Sequence, residues 1–478
     1  MKYSHRPILI IFAFFTICTA ETAYYFSGGK YFTDQILTDA IDTTISVEDN
    51  ISRILDLYVE KGFPFATVKV DSVLTGIEGG AVYLKINSGS YVRIDEILFE
   101  GAVKTAKSSM LTLSGLKKGE KFSEKKSAEA SEWLYRSGLF LYRPGFDIFR
   151  SAWNKFGLSY KVAEKKYNEI IFLGGYSSGS EGSVLSFLSV FNSDNLFGTM
   201  RRISFLWERT KDYSEKFDLK YTEPFLFGMH LSTTAEFRQD FRNDLYLKRS
   251  VYAGQKYEFD PEAGVKYGFL KEFFYPDTLA VTDRNDAVTT KYHAGVEYSV
   301  KSGEYPVEGD GGFSLSADVA SVNISVKDSA DMNGFQIKLN PGYIIEFTKR
   351  IFIGTGINYE QAVFTGRIPD FGKISFGGAG SFRGYREDMF LSDIEILNSW
   401  NVFFVPERGI AFRLFGDLCA YNPSAENIEK ISGLDVLYSY GAGMIYITDS
   451  GEISLTVAVP HSEGFGDSVI HAKYSFRF

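Results

Sequence analysis

Two different periods of apolar residues run along this chain, and they change near residue 166. Before it, helical spacing appears twice. Ile51, Ile54, Leu55 and Tyr58 fall at i, i+3, i+4 and i+7, one face of a helix. Ser46 and Asp49 sit before them as a capping pair, and Gly62 follows as the stop. Ala130, Trp133 and Leu134 share a second helical face, with Ser123 as the cap and Gly138 as the end. Each helical stretch follows a short strand ending in glycine, "AYYFSGG" and "YVRIDEILFEG", and precedes two further strands. In the second opening strand Ile94, Glu96 and Leu98 alternate with Arg93, Asp95 and Ile97, only a fair fit to period two. Residues 24–88 and 92–164 thus read as two β-α-α-β-β modules.

From Tyr167 onward the helical period is gone and strict alternation replaces it. In "KFDLKYT", Phe217, Leu219 and Tyr221 oppose Asp218, Lys220 and Thr222. In "KYHAGVEYSV", Tyr292, Ala294, Val296, Tyr298 and Val300 oppose Lys291, His293, Glu297 and Ser299. In "VIHAKYSFRF", Ile470, Ala472, Tyr474, Phe476 and Phe478 oppose His471, Lys473, Ser475 and Arg477. A soluble sandwich alternates too, so number and length decide. About 16 such segments follow, each near the length a tilted spanning strand needs. A closed barrel is the β-form that satisfies its whole backbone in lipid. The expected fold is therefore a membrane β-barrel of about 16 antiparallel strands behind two small α+β domains.

Composition sharpens this picture. Aromatic residues make up 16% of the 478, with 43 Phe and 30 Tyr, yet mean hydropathy is only −0.10. That pairing suits strands that are apolar at every second position and rimmed by aromatic girdles. The N-terminus, MKYSHRPILIIFAFFTICTA, has a basic start, an apolar core and a small residue at Ala20, and reads as a secretory leader. Ile17 before Cys18 argues against a lipoprotein cysteine. Beyond the leader only Cys419 remains, so no intrachain disulfide and no cysteine metal site are expected. A formal charge of −9 without a basic cluster speaks against nucleic-acid binding. No G-x-S-x-G and no H-E-x-x-H occur, and His230, His293, His461 and His471 are scattered. "EGDGG" at 308–312 lacks calcium-loop spacing. An enzyme, a cofactor and a bound metal are not expected.

One stretch resists this reading. "GGAGSFRGYRED", residues 377–388, sets Arg383 among aromatics and glycines. A phosphate loop is excluded: after Gly378 and Gly380 the third glycine of G-x-G-x-x-G falls on Arg383, and no amphipathic helix follows.

The tandem modules resemble POTRA domains, periplasmic units that bind unfolded chains by strand addition. An open sheet edge is physically suited to that task. With the barrel, nearly the whole chain from 21 onward resembles the superfamily of BamA, TamA and the two-partner-secretion transporters. "NLFG" at 195–198, "YTEPFLFG" at 221–228 and "FGGAGSFRGYRED" carry the resemblance, the last lying five strands before the C-terminus. It implies a leader at 1–20, POTRA-like domains at 21–90 and 91–165, and a surface-antigen-type barrel at 166–478, in the outer membrane of a diderm bacterium with the modules in the periplasm. In that family the loop folds into the lumen and its arginine pairs with an acid on the wall. The matching residues are Phe382, Arg383, Gly384 and Tyr385, with Asp417 of "FRLFGDLCAY" as the partner. Gly377, Gly378, Gly380 and Gly384 would let the backbone reverse and approach the wall, and Tyr385 would pack beside the guanidinium. The family's Asn-x-Glu-x-Arg strand departs here, with Trp400 and Val402 at the acid and base positions of "NSWNVFFVP". Phe478 matches the terminal aromatic of an assembly signal. A weak seam is expected between 168–178, with Gly174 and Gly175, and 469–478, with Tyr474 and Phe476. The implied role is assembly or insertion of outer-membrane proteins. Its partners would be unfolded outer-membrane or secreted clients and outer-membrane lipid, with accessory lipoproteins left open. Export of a dedicated protein by a two-partner-secretion transporter is the alternative. That subgroup's plug helix and Pro-rich linker have no room between Ala20 and the first module. A passive porin is a third class, disfavoured by the modules and the Arg-Gly-Tyr loop.

Overall fold

The computed structural model describes residues 22–477 except 77–78, 153–154, 180–181, 210–213, 244, 278–284, 304–310, 379, 387, 408, 424–433, 449–450 and 462–467. The expected leader and Phe478 lie outside the described residues. The chain divides into two compact units after Lys165.

The first unit holds both modules. Module one runs β1 (Thr22–Gly29), α1 (Asp34–Asp39), α2 (Val47–Glu60), β2 (Thr67–Gly76) and β3 (Gly79–Asn87). Module two runs β4 (Ile94–Glu100), α3 (Lys107–Ser114), α4 (Glu124–Arg136), β5 (Phe146–Ala152) and β6 (Lys155–Lys161). In each sheet the last strand is central, in the orders β1-β3-β2 and β4-β6-β5. The first strand runs parallel to it, a pairing that requires the helical crossover between them. Ile54 and Tyr58 of α2 are buried against Val82, Leu84 and Ile86 of β3. Ala130 and Leu134 of α4 are buried in module two, where Tyr160 donates its hydroxyl to the Ser127 carbonyl at 3.0 Å. Ser46 and Ser123 cap α2 and α4 by accepting from the Asp49 and Lys126 amides.

The glycine that ends each opening strand has one physical cause in both modules. Gly28 and Gly101 each adopt φ +95°. A Cβ at Gly28 would lie 2.3 Å from the Ile86 carbonyl oxygen, and at Gly101 2.2 Å from that of Val162. The fair alternation of β4 also has a cause: a bulge between Ile94 and Glu96 shifts the register, so Ile94 and Ile97 both reach the core. The linker between the modules is tied down. The Val92 amide donates to the Gly62 carbonyl at 2.8 Å, Tyr91 packs on Phe63 and Lys121 reaches the Glu60 carbonyl. Glu164 closes module two by accepting from the amides of Val103, Lys104 and Thr105 at 3.1, 2.9 and 2.7 Å. Partial burial works against its ionisation, but the Thr105 hydroxyl and these three amides outweigh it and hold the carboxyl below the usual range.

The second unit is a closed antiparallel barrel of 16 strands. They are β7 (Asn168–Gly179), β8 (Gly182–Leu196), β9 (Arg201–Arg209), β10 (Glu215–Glu223), β11 (Leu231–Arg242), β12 (Tyr246–Asp260), β13 (Ala263–Pro276) and β14 (Ala287–Gly303). There follow β15 (Gly311–Val326), β16 (Met332–Thr348), β17 (Ile351–Phe364), then β20 (Ile394–Glu407), β21 (Ile410–Tyr421), β22 (Asp435–Thr448), β23 (Gly451–Pro460) and β24 (Val469–Arg477). A short hairpin, β18 (Ile374–Phe376) and β19 (Phe390–Ser392), stands apart in the loop after β17. An even strand count brings the start of β7 and the finish of β24 to one end, the base, and the 365–393 loop to the other, the top.

The barrel is inverted relative to a water-soluble protein. Tyr292, Val296 and Tyr298 of β14 and Ile470, Tyr474 and Phe476 of β24 point outward and are exposed, as are large apolar residues of most other strands. The inner wall carries ionic groups instead: Lys266 bridges Glu297 and Asp318 at 2.9 Å each, and Lys338 meets Glu360 at 3.2 Å. An apolar outer band around a polar lumen is the arrangement lipid selects. Among the described residues no helix is long and apolar enough to cross a membrane.

Two outcomes follow for the first unit. Gly101→Ala should destabilise module two by about 2–3 kcal/mol, since it adds left-handed strain and a backbone clash. Gly145→Ala, where a Cβ meets nothing within 4 Å, is the neutral control, and differential thermal unfolding of the two variants checks it. Because the Glu164 carboxyl is held low, its stabilisation is present above the ordinary carboxylate range and is lost as pH falls through that range and below. The stability gap between wild type and Glu164→Gln should therefore be full near neutrality and shrink below about pH 4. A gap constant with pH would rule out the ionised clamp.

Candidate functional site

The loop from 365 to 393 carries enough aromatic residues to build a core of its own. Phe376 stacks on Phe390 across the β18–β19 hairpin with ring centroids 5.2 Å apart. Phe382 is fully buried and packs on Tyr385 at 4.5 Å. These rings join Val322 and Ile324 of β15, Phe364 of β17, Leu397 of β20 and Cys419 of β21 in one apolar cluster. Phe371, packed against the same cluster, stacks on Phe274 of β13, and Asp388 approaches Arg242 of β11 at 3.9 Å. The loop therefore touches the wall from β11 to β21 at the top of the barrel.

Burial of Phe382 and Tyr385 draws the intervening Arg383 inward with them. Its side chain meets Asp417 in a two-point pair, Nε to Oδ2 at 2.7 Å and Nη2 to Oδ1 at 2.5 Å. Its backbone amide also points at Oδ2, at 3.4 Å. Nη1 donates to Asn401 Oδ1 at 2.9 Å. The guanidinium lies 3.8 Å from the centroid of the Phe415 ring. Arg383 is 8% exposed and Asp417 1%. A buried pair repays its desolvation only when geometry is good and further hydrogen bonds support it, and here the pair is two-point and Asn401 takes up Nη1.

Phe415 and Asp417 share the inner face of β21 because they are two residues apart. The aromatic under the cation is thus Phe415, a residue that the sequence reading had not placed there. Tyr385 also ties the loop to the wall. Its hydroxyl donates to the Tyr438 carbonyl at 3.4 Å and accepts from the His461 amide at 3.3 Å.

The glycines divide by need. Gly377 adopts φ +120° and Gly384 φ +90°. A Cβ at Gly377 would lie 2.5 Å from the Arg386 carbonyl, and at Gly384 3.1 Å from Ser439 Cβ, where the loop touches the wall at β22 and β23. Gly378 is also left-handed, at φ +101°. Gly380 has neither a positive φ nor a neighbour within 4 Å of a Cβ, so its expected role in the reversal is not needed.

On β20 the inward set is Glu395, Leu397, Ser399, Asn401 and Phe403. Trp400 and Val402 are 47% and 41% exposed on the outer face. Aligning the family signature on Asn398 therefore placed its acid and base on the lipid side. The residue that serves the lumen network is Asn401, one parity step away. Continuing the inward set from buried Glu395 along β20 would have found it.

The seam is narrower than its sequence suggested. Among the described residues β24 pairs with β7 only at Phe476↔Ile170 and Arg477↔Glu169. By contrast β23 pairs with β24 over eight positions, Gly451↔Phe476 to Ala458↔Val469. Gly174 and Gly175 pair with Phe187 and Ser186 of β8, not with β24. Tyr474 projects outward, 56% exposed, and its partner on β23 is Ile453.

Reversal of either charge should open the brace. Arg383→Glu faces Asp417 with a second carboxylate and should cost about 3–5 kcal/mol of barrel stability. Adding Asp417→Arg should restore part of it, but not all, because the swapped carboxylate cannot stack on Phe415 or donate to Asn401. Heat-modifiable migration of the folded barrel reads both steps, and a double variant no better than the single would disprove the pairing.

No protein-family model matches the chain, and no curated protein matches it. Solved structures do. BamA from Haemophilus ducreyi lacking POTRA domains 1–3 superposes with a TM-score of 0.53 at 15% identity, covering 95% of this chain and 98% of that one. CdiB from Escherichia coli gives 0.60 at 11% identity, covering 98% and 93%. CdiB from Acinetobacter baumannii gives 0.56 at 11%, covering 99% and 93%. At such identities the likeness is one of fold, and over nearly its whole length this chain has the fold of the BamA and CdiB barrels.

Proposed function

We propose that the protein is an outer-membrane assembly factor of a diderm bacterium, whose POTRA-like modules receive unfolded clients in the periplasm and whose barrel seam passes them into the bilayer. The observation that carries this reading is the pairing of β24 with β7 at two positions among the described residues, in a barrel otherwise laddered strand to strand. A strand edge left unpaired over most of its length offers backbone donors and acceptors to an incoming strand. Each module has edges of the same kind. β2 is an edge strand with Val70, Val73 and Leu74 exposed. The loop brace supports the reading as a structural part. It fixes the wall at β20–β23, next to the seam, so that opening is confined to β7 and β24. No chemistry on a client is assigned to Arg383 or Asp417.

Export of a dedicated protein is kept as a second reading, because the superposition on CdiB is no weaker than that on BamA. Both readings use the seam or lumen as a path, and they differ in the client.

The seam is tested by a crosslink placed on the observed register. Ile170→Cys with Phe476→Cys joins directly paired positions, both outward and exposed. The oxidised form should stop client insertion, and reduction should bring it back. Full insertion by a fully crosslinked protein would remove the lateral opening from the mechanism. Depletion followed by outer-membrane proteomics separates the two readings. Loss of many unrelated barrels supports assembly, whereas retention of one secreted protein in the periplasm with barrels constant supports export.

A further inference from the structure

Two turns at the base of the barrel, between β8 and β9 and between β10 and β11, carry the same tripeptide, Leu196-Phe197-Gly198 and Leu226-Phe227-Gly228. In both the phenylalanine is left-handed, with φ +54° and +56°. In both its ring is almost fully exposed, at 89% and 85%. A bulky L-residue in that region is strained, and glycine would relieve the strain at no loss of contact. Neither turn is loose. The buried Asn195 side chain accepts from the Met200 amide at 2.8 Å, and the Gly198 and Thr199 amides donate to Asn195 and Leu196. The Gly228 and Met229 amides donate to Phe225 and Leu226 at 3.1 and 3.2 Å. A rigid, strained support presenting an exposed aromatic ring occurs twice, on neighbouring turns of the same rim.

The surroundings identify the occupant. β9 and β10 are nine residues each, against seventeen for β14 and β16. About nine residues is the least that spans the hydrocarbon when tilted, so the turns at their ends meet its boundary. The outer face above them is rich in aromatic contacts, with Phe187 on Trp207, Phe205 on Phe217 and Phe217 on Phe237. Between the two turns Arg201 and the Tyr221 hydroxyl both donate to Glu223, at 2.7 and 2.9 Å, a polar rim at headgroup level. We propose that Phe197 and Phe227 are a pair of aromatic anchors that insert into the boundary between headgroups and acyl chains of the base-side leaflet. This rests on the membrane-barrel reading and adds to it a fixed depth for the rim two turns from the seam. Aromatic side chains are favoured at that depth.

The test uses the full-length protein in vesicles of phosphatidylethanolamine and phosphatidylglycerol containing lipid brominated at chosen acyl depths. Phe197→Trp and Phe227→Trp each add an emitter to the native four tryptophans. The added emission should be quenched by bromine, most strongly at the shallow acyl positions, and be shielded from aqueous acrylamide. Acrylamide quenching without bromine quenching would overturn the proposal and point to a protein partner at the tips. Trp207 and Trp400, outward on β9 and β20, serve as the internal reference in the wild type. If they are quenched and the added residues are not, the anchors alone fail. If they too escape bromine, the membrane reading falls and the anchors with it. Phe197→Gly with Phe227→Gly should melt in detergent no lower than wild type. A clear drop would mean that the rings pack within the protein, and the proposal would be wrong.

Discussion

In hydrocarbon a backbone amide or carbonyl has no partner except another part of the protein, and this constraint shapes most of the second unit. It explains why 16 strands close on themselves and why outward residues are apolar over most of the circumference. It also makes the closing pair the informative one. Fifteen junctions are long ladders, while β24 meets β7 at two described positions. In water such an edge would be satisfied by solvent at little cost. In a bilayer it is a local deficit of hydrogen bonds. The feature that weakens the barrel is thus the one on which the proposed function rests.

A polar lumen has the opposite difficulty, since it must be filled or gated without exposing the loop's own backbone. Here the solution is an apolar cluster inside a polar wall. Phe376, Phe382, Tyr385 and Phe390 bury one another against Val322, Ile324, Phe364 and Leu397, and that burial supplies the inward force. The cost is Arg383, carried into a water-poor site between two of those rings. Asp417, Asn401 and the Phe415 face offset it together. Removing one partner leaves a buried charge short of donors or acceptors, so the brace works as a unit.

The first unit repeats one structural solution twice with little shared sequence. What persists is steric. A glycine at the end of the opening strand, Gly28 or Gly101, passes within contact of a carbonyl just past or within the central strand. The tied linker at Gly62, Tyr91 and Val92 joins the two modules.

Periodicity alone determined the class of every large element. Period 3.6 gave α2 and α4 with their caps, and period two gave the barrel strands with their outward and inward sets, because both depend only on local geometry. The pairing of Arg383 with Asp417 was likewise legible, since a family-like loop and an aromatic-x-Asp inner face stand at recognisable places. Tertiary structure decided what depends on register between distant segments. The sequence could not say that Gly174 and Gly175 pair away from the seam, or that β24 is offset to touch β7 only at its end. It could not place the guanidinium on the Phe415 ring. It could not show that Trp400 and Val402 lie outward while Asn401 lies inward, because a one-residue shift in an alternating strand exchanges lumen for lipid. The exposed left-handed Phe197 and Phe227 were hidden too: their motif is written in the chain, but the sign of φ and the absence of neighbours exist only once the turns are folded.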